Sequence, residues 1–228
     1  IQTDGNSLCW DISALEAGIM ESFQKLHGAH TQLCSFAIDT WGVDFALLDK
    51  NGTLVEQPRC YRRMSTADLP RVHQIVDENT LFQKTGLIAN PLNTLYQLIR
   101  MRYESPQILE KASHLLMLPS YFSYLLTGEI YNELTAASTT MLLDVNNPDW
   151  SHELIAAFSL PDEIFQRILS PGTLCGAIRS TFAAQTGYRL SFQVRLFFIK
   201  ASVTRKYVFL SPPPSFHVTS NWYHFPSS

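Results

Sequence analysis

The residues best placed to do chemistry together lie in one run, Ile38-Asp39-Thr40-Trp41-Gly42-Val43-Asp44-Phe45-Ala46-Leu47-Leu48-Asp49. An apolar strand enters a polar turn that contains a glycine, and a second apolar strand leaves it with Asp44 at the junction. A carboxylate there can accept hydrogen bonds from sugar hydroxyls, and the face of Trp41 can cover a sugar ring. The same residues admit a plain structural reading, in which Gly42 permits a bulge, Trp41 fills the core and Asp44 caps a turn. Spacing alone leaves both open. Asp39 and Asp49 stand at strand ends, where service in a turn is the expected role.

Other chemistries have less support. Of the seven histidines, at 27, 30, 73, 114, 152, 217 and 224, only His27 and His30 fall close together, and Cys34 alone is a weak partner for them, so no metal site is expected. The four cysteines, 9, 34, 60 and 175, are irregularly spaced and form neither a disulfide framework nor a zinc motif. There is no Gly-x-Ser-x-Gly to mark a nucleophilic serine.

The elements that must position these residues follow from periodicity. Residues 8–12 form a short strand, and Ser13 with Glu16 reads as a capping box opening a helix through about residue 26, with Leu15, Ile19, Met20 and Phe23 at helical spacing. Residues 32–38 and 43–49 read as strands, and Asn51-Gly52 turns the second into a hairpin with 53–56. Helical periodicity then takes over at 69–76, 95–103, 107–112, 150–158 and 162–169, and at 119–127, where Pro119 lies near the start and Gly128 just past the end. Strand, helix, strand and then helices predict an α/β domain.

With 228 residues, 46% of them hydrophobic, 16% charged and a net charge of −3, the chain has the composition of a soluble globular protein and not of a collagen, a coiled coil or a disordered chain. No apolar run approaches the roughly 18 residues that span a bilayer. The start, Ile1-Gln2-Thr3-Asp4-Gly5, lacks the charged region and apolar stretch of a secretory leader, so no membrane partner and a cytoplasmic setting are expected. The charge is unevenly spread. All 20 acidic residues precede residue 180, whereas the last 48 residues hold 5 Lys and Arg and no acid. Residues 192–199 could form one strand, but the prolines at 212–214 and the aromatics at 222–225 follow no period. A basic, aromatic tail could stack on bases, yet five charges make a thin patch, so nucleic acid is not an expected partner and residues 180–228 are expected to be an unrelated, irregular or out-of-frame tail.

The run at 38–49, with Thr-Leu-Val-Glu-Gln-Pro-Arg-Cys-Tyr-Arg at 53–62, Asn-Pro-Leu-Asn-Thr-Leu-Tyr-Gln-Leu at 90–98, Leu-Leu-Met-Leu-Pro-Ser-Tyr-Phe-Ser-Tyr-Leu-Leu-Thr-Gly at 115–128 and Glu-Leu-Thr-Ala-Ala-Ser-Thr-Thr at 133–140, resembles the FGGY carbohydrate kinases, and within them the branch acting on L-rhamnulose. Trp41-Gly42-Val43-Asp44 is the most discriminating part of the match. The resemblance covers about residues 1–179. It implies part of the N-terminal, sugar-binding domain of an actin-like, ribonuclease-H-like kinase, with an irregular tail after it. The implied activity is transfer of the γ-phosphate of MgATP to the 1-hydroxyl of L-rhamnulose in rhamnose breakdown. Gly42 matches a position whose backbone lies against the ketose, with Trp41, Val43 and Asp44 beside it as substrate-binding candidates. The family's phosphate hairpin, general-base aspartate and nucleotide domain have no counterparts here, so the chain is expected to be an inactive fragment that binds a rhamnulose-like ketose and no MgATP of its own. A sugar-binding or interaction module without catalysis, or a kinase for another ketose or polyol, are the alternatives. Arg63 stands where the family usually has an acid, while Tyr96, Gln97 and the Tyr121-Phe122-Tyr124 cluster match it well, and the aromatics among them are expected to be core.

Overall fold

The computed structural model describes residues 1–4, 7–29, 35–188 and 193–195. In chain order these residues form strands β1 (Gln2–Asp4) and β2 (Ser7–Cys9), helix α1 (Ile12–Gly28), strands β3 (Ser35–Phe36) and β4 (Phe45–Leu48), and helices α2 (Leu69–His73), α3 (Glu78–Thr85), α4 (Thr94–Glu104) and α5 (Pro106–Lys111). Strand β5 (His114–Met117), helix α6 (Leu118–Thr127), strand β6 (Asn132–Glu133) and helices α7 (Leu134–Ser138) and α8 (His152–Ala157) follow, then β7 (Ile168–Leu169), β8 (Leu174–Ala177), α9 (Ser180–Thr186) and β9 (Gln193–Arg195). The mixed α/β architecture agrees with the pattern of the sequence.

The pair β4 and β5 is the spine of the molecule. They run antiparallel, Phe45 opposite Met117 and Leu48 opposite His114, and all four residues of β4 are buried. Successive side chains of a strand point to opposite faces. Accordingly Phe45, Leu47, Leu115 and Met117 enter the largest core, with Leu95, Tyr96 and Ile99 of α4. Ala46, Leu48 and Leu116 enter a second core with Ile12 of α1 and Leu118, Tyr121 and Phe122 of α6. A strand covered on both faces reads as a continuous apolar run rather than an alternating one, which is how Phe45-Ala46-Leu47-Leu48 reads. Tyr96 and the Tyr121-Phe122-Tyr124 cluster belong to these cores, as expected.

A third core joins Phe23 of α1, Phe36 of β3, Leu126, Tyr131, Cys175, Ile178 and the α9 residues Phe182 and Ala183. Phe23 meets Phe36 and Phe182 edge-on, at centroid distances of 4.9 and 5.2 Å. Strand β9 lies between β3, its parallel partner, and β8, its antiparallel one. Elements beyond residue 179 are thus built into this core. Of the strand expected at 32–38, residues 35 and 36 pair and residues 32–34 lie outside the described residues, as do 189–192 and 196–228 of the tail. Strand β3 stands at the end of its sheet, with a neighbour on one side only among the described residues.

Local differences from expectation have local causes. Helix α1 is capped by Asp11, whose Oδ1 accepts from the Ala14 amide at 3.0 Å, so the Ser13–Glu16 box does not form. Glu16 instead accepts a hydrogen bond from the Tyr121 hydroxyl at 3.3 Å. The helix expected at 162–169 is a single 3-10 turn at Asp162–Ile164 followed by β7, because Asn132 and Glu133 offer a parallel partner to Ile168 and Leu169. The 51–52 turn forms with Gly52 alone at positive φ (78°), since Asp49 Oδ1 already gathers the Asn51 and Thr53 amides at 2.8 and 2.9 Å. The return strand shrinks to one bridge, Leu48 opposite Leu54. Helix α6 ends where Gly128 takes the left-handed conformation at φ 84°.

Candidate functional site

Between β3 and β4 the chain passes through residues 39–44, tied to α4 by Thr94 and Gln97 and to the end of α7 by Thr139. Asp44 sits at the end of this segment, fully buried. A buried carboxylate requires donors, and they are present. Its Oδ2 accepts the indole N–H groups of Trp10 (2.6 Å) and Trp41 (2.9 Å), and its Oδ1 accepts from Gln97 Nε2 at 3.1 Å. Burial pushes the carboxyl of Asp44 up from its ordinary value, an effect that these donors and the Tyr61 amide reduce. Sharing one oxygen, the two indoles lie against each other at a centroid distance of 4.0 Å, their planes tilted by 37°. Asp44 therefore orients Trp41.

Val43 has φ +68°, the left-handed region, which a β-branched residue enters only at a cost of about 1–3 kcal/mol. Its backbone is held on both sides. The amide donates to Thr139 Oγ1 at 2.9 Å, and the carbonyl accepts from Thr94 Oγ1 at 2.7 Å and Gln97 Nε2 at 3.1 Å. Gly42 packs against the same threonine. A β-carbon at 42 would lie 2.9 Å from Thr139 Cγ2 and 3.1 Å from its Oγ1.

The result is a cleft of about 180 Å³ lined by Ile38, Asp39, Thr40, Trp41, Gly42, Pro119, Glu133, Thr135, Ala136 and Thr139. Two threonine hydroxyls, of Thr40 and Thr135, two carboxylates, one indole and a backbone strip make a surface for a polyhydroxy ligand. Asp39 is exposed there, its carboxyl raised by partial burial and further by the charge of Glu133. Glu133 is largely committed to α7, accepting from the Thr135 and Ala136 amides at 2.9 Å each. MgATP does not fit this cleft. It offers a triphosphate two carboxylates and neither lysine nor arginine. Among the described residues no three His, Cys, Asp or Glu side chains cluster as metal ligands.

Of the residues singled out in the sequence, Trp41 and Gly42 line the cleft, whereas Val43 and Asp44 lie behind them. Asp49 serves the 51–52 turn. Asp39, expected to serve a strand end, opens onto the cleft. Arg63 lies away from it, paired with Glu104 at 2.7 Å. Sequence reading noted Gln97 only as a match to the family and passed over Thr139 and Glu133. Their one signal was membership of the strings at 90–98 and 133–140.

A model of the N-terminal domain of the FGGY family of carbohydrate kinases matches residues 6–194. This chain belongs to that family. The FGGY match runs past residue 179 and takes in α9 and most of β9. Rhamnulokinases from Yersinia pestis (strain Pestoides F) and Yersinia pseudotuberculosis serotype I (strain IP32953) are each 40% identical to it over 174 residues, 76% of this chain and 36% of theirs. The FGGY chain thus spans about a third of the length of these relatives. Its fold matches a gluconate kinase from Lactobacillus acidophilus with a TM-score of 0.77 at 16% identity, over 86% of this chain and 40% of that one. A glycerol kinase from Plasmodium falciparum with ADP matches with a TM-score of 0.73 at 14% identity, over 86% and 41%. FGGY carbohydrate kinases use ATP.

Proposed function

We propose that residues 38–44 and 133–139 form the sugar-holding wall of an ATP-dependent kinase of the rhamnulokinase type, acting on the 1-hydroxyl of L-rhamnulose in rhamnose breakdown. The observation that carries this reading is the placement of Trp41 and Gly42, half of the tetrad most particular to the L-rhamnulose branch, side by side on the cleft. The 40% identity to rhamnulokinases supports the choice of ketose. Phosphoryl transfer needs positioning and charge stabilisation more than covalent chemistry, and this cleft supplies the acceptor side of that task alone. The chain by itself binds the ketose and transfers nothing.

Calorimetry of the 228-residue chain with L-rhamnulose, L-ribulose and D-xylulose tests the substrate. L-Rhamnulose is expected to bind about tenfold tighter than either, a difference of about 1.4 kcal/mol. Equal heats, or none, overturn the reading. Sugar-dependent ADP release by this chain in a coupled assay overturns the claim that it only binds.

A further inference from the structure

We propose that Thr139 and Gln97 are positioning residues for the sugar wall, clasping the two peptides that flank Val43 in the conformation that presents Gly42 to the cleft. The inference rests on the sugar-wall reading. A valine at φ +68° returns to the ordinary β or right-handed region unless its surroundings forbid it. Here they do, from two separate parts of the chain. Thr139, just past α7, takes the Val43 amide at 2.9 Å, and its own hydroxyl proton goes to the Ala136 carbonyl at 2.8 Å, which fixes the lone pair that faces Val43. Its carbonyl accepts from Asn93 Nδ2 at 2.8 Å, tying that turn to the start of α4. Gln97, one turn into α4, reaches both the Val43 carbonyl and Asp44 Oδ1 at 3.1 Å. One amide group therefore couples the strained backbone to the carboxylate that holds the Trp41 indole.

Gln97 is buried and does not line the cleft, so any effect it has on a ligand passes through Val43 and Asp44. Thr139 lines the cleft and also holds Val43 with its oxygen. The clasp also explains why a β-branched residue is tolerated at a position that favours glycine. Its side-chain partners supply the constraint that valine lacks.

The full chain carries the test, read by L-rhamnulose calorimetry and by amide hydrogen exchange at Val43. Thr139→Val keeps the size and removes the hydroxyl. It is expected to lose protection at Val43 and to weaken ketose binding by about tenfold or more, while Thr139→Ser stays within about threefold of the wild type. Adding Val43→Gly to Thr139→Val should recover most of the affinity, because glycine occupies φ +68° without a clasp. A merely structural role lowers the melting temperature of Thr139→Val without that recovery. Should Thr139→Val not fold, Thr94→Val removes a donor to the Val43 carbonyl, on the other side of the same residue, and is read by ketose binding with and without Val43→Gly. Wild-type-like affinity and protection in Thr139→Val, or no recovery in the double variant, overturn the positioning role alone. Absence of ketose binding by the wild-type chain overturns the sugar-wall reading and the positioning role with it.

Discussion

Asp44 is held by three side-chain donors, and burial still raises its carboxyl above the ordinary value. The folded chain therefore holds the proton more tightly than the unfolded chain does. Stability from this group is complete below the unfolded carboxylate value and is lost as pH rises through the raised one. Asp44→Asn removes the titration, although its amide hydrogens face donors and lower stability at every pH. The difference in unfolding free energy, wild type minus Asp44→Asn, should fall with pH across that window and then level off, as read from urea melts at stepped pH. A flat difference would mean that Asp44 titrates no differently in the two states. The neighbouring glycine makes a second prediction. A β-carbon at 42 would press on Thr139, whose hydroxyl and carbonyl are both engaged. Gly42→Ala should lower stability by about 1–3 kcal/mol, and Thr139→Ala in the same chain should return part of it. Simple additivity in that double-mutant cycle would show that the contact does not matter. Trp41 and Gly42 were legible because an indole beside a glycine between two apolar runs is unusual locally. Thr139 and Gln97 were not, because their partners lie far off in sequence and nothing near either residue announces a clasp.

At the scale of elements, signals confined to a few residues were read well, and those that depend on a remote partner were not. Helix α6 has a proline at its start and Gly128 beyond its end, and its limits follow from those residues. Strand β7 exists because β6 lies beside it, so Ile168 and Leu169, read alone, continue a helical pattern. The start of α1 is a contest between two local signals. Ser13 with Glu16 matches the capping box, yet Asp11 caps the helix. An aspartate serves as well as a serine in that role, and here it stands one residue ahead of the buried Ile12 that fixes the helix against α6. Asp11→Ala should then cost about 0.5–2 kcal/mol. Ser13→Ala, at an exposed position inside the helix, should lie within about 0.5 kcal/mol of zero. Chemical denaturation of the two variants decides it, and the reverse order would place the cap at Ser13.

For the molecule as a whole, composition and packing disagree about where the domain ends. Acidic residues stop at Glu163, and the change in composition pointed to a boundary near 180, but composition records solvation and charge and carries no information on what a segment packs against. Phe182 and Ala183 of α9 complete the third core, and β9 is the middle strand of its sheet. A chain ending at 179 loses a buried phenylalanine, whose truncation alone costs about 3–5 kcal/mol, and it leaves β3 and β8 without the strand between them. Total stabilities are about 5–15 kcal/mol, so that chain should be largely unfolded or self-associated at room temperature. A chain ending at 195 keeps every contact described here and should melt within about 4 °C of the full chain. Size-exclusion chromatography and thermal melts of the two truncations separate the cases. A monomeric, cooperatively melting 1–179 would show that α9 and β9 are dispensable, and a collapse of 1–195 would show that the remaining residues contribute to the fold.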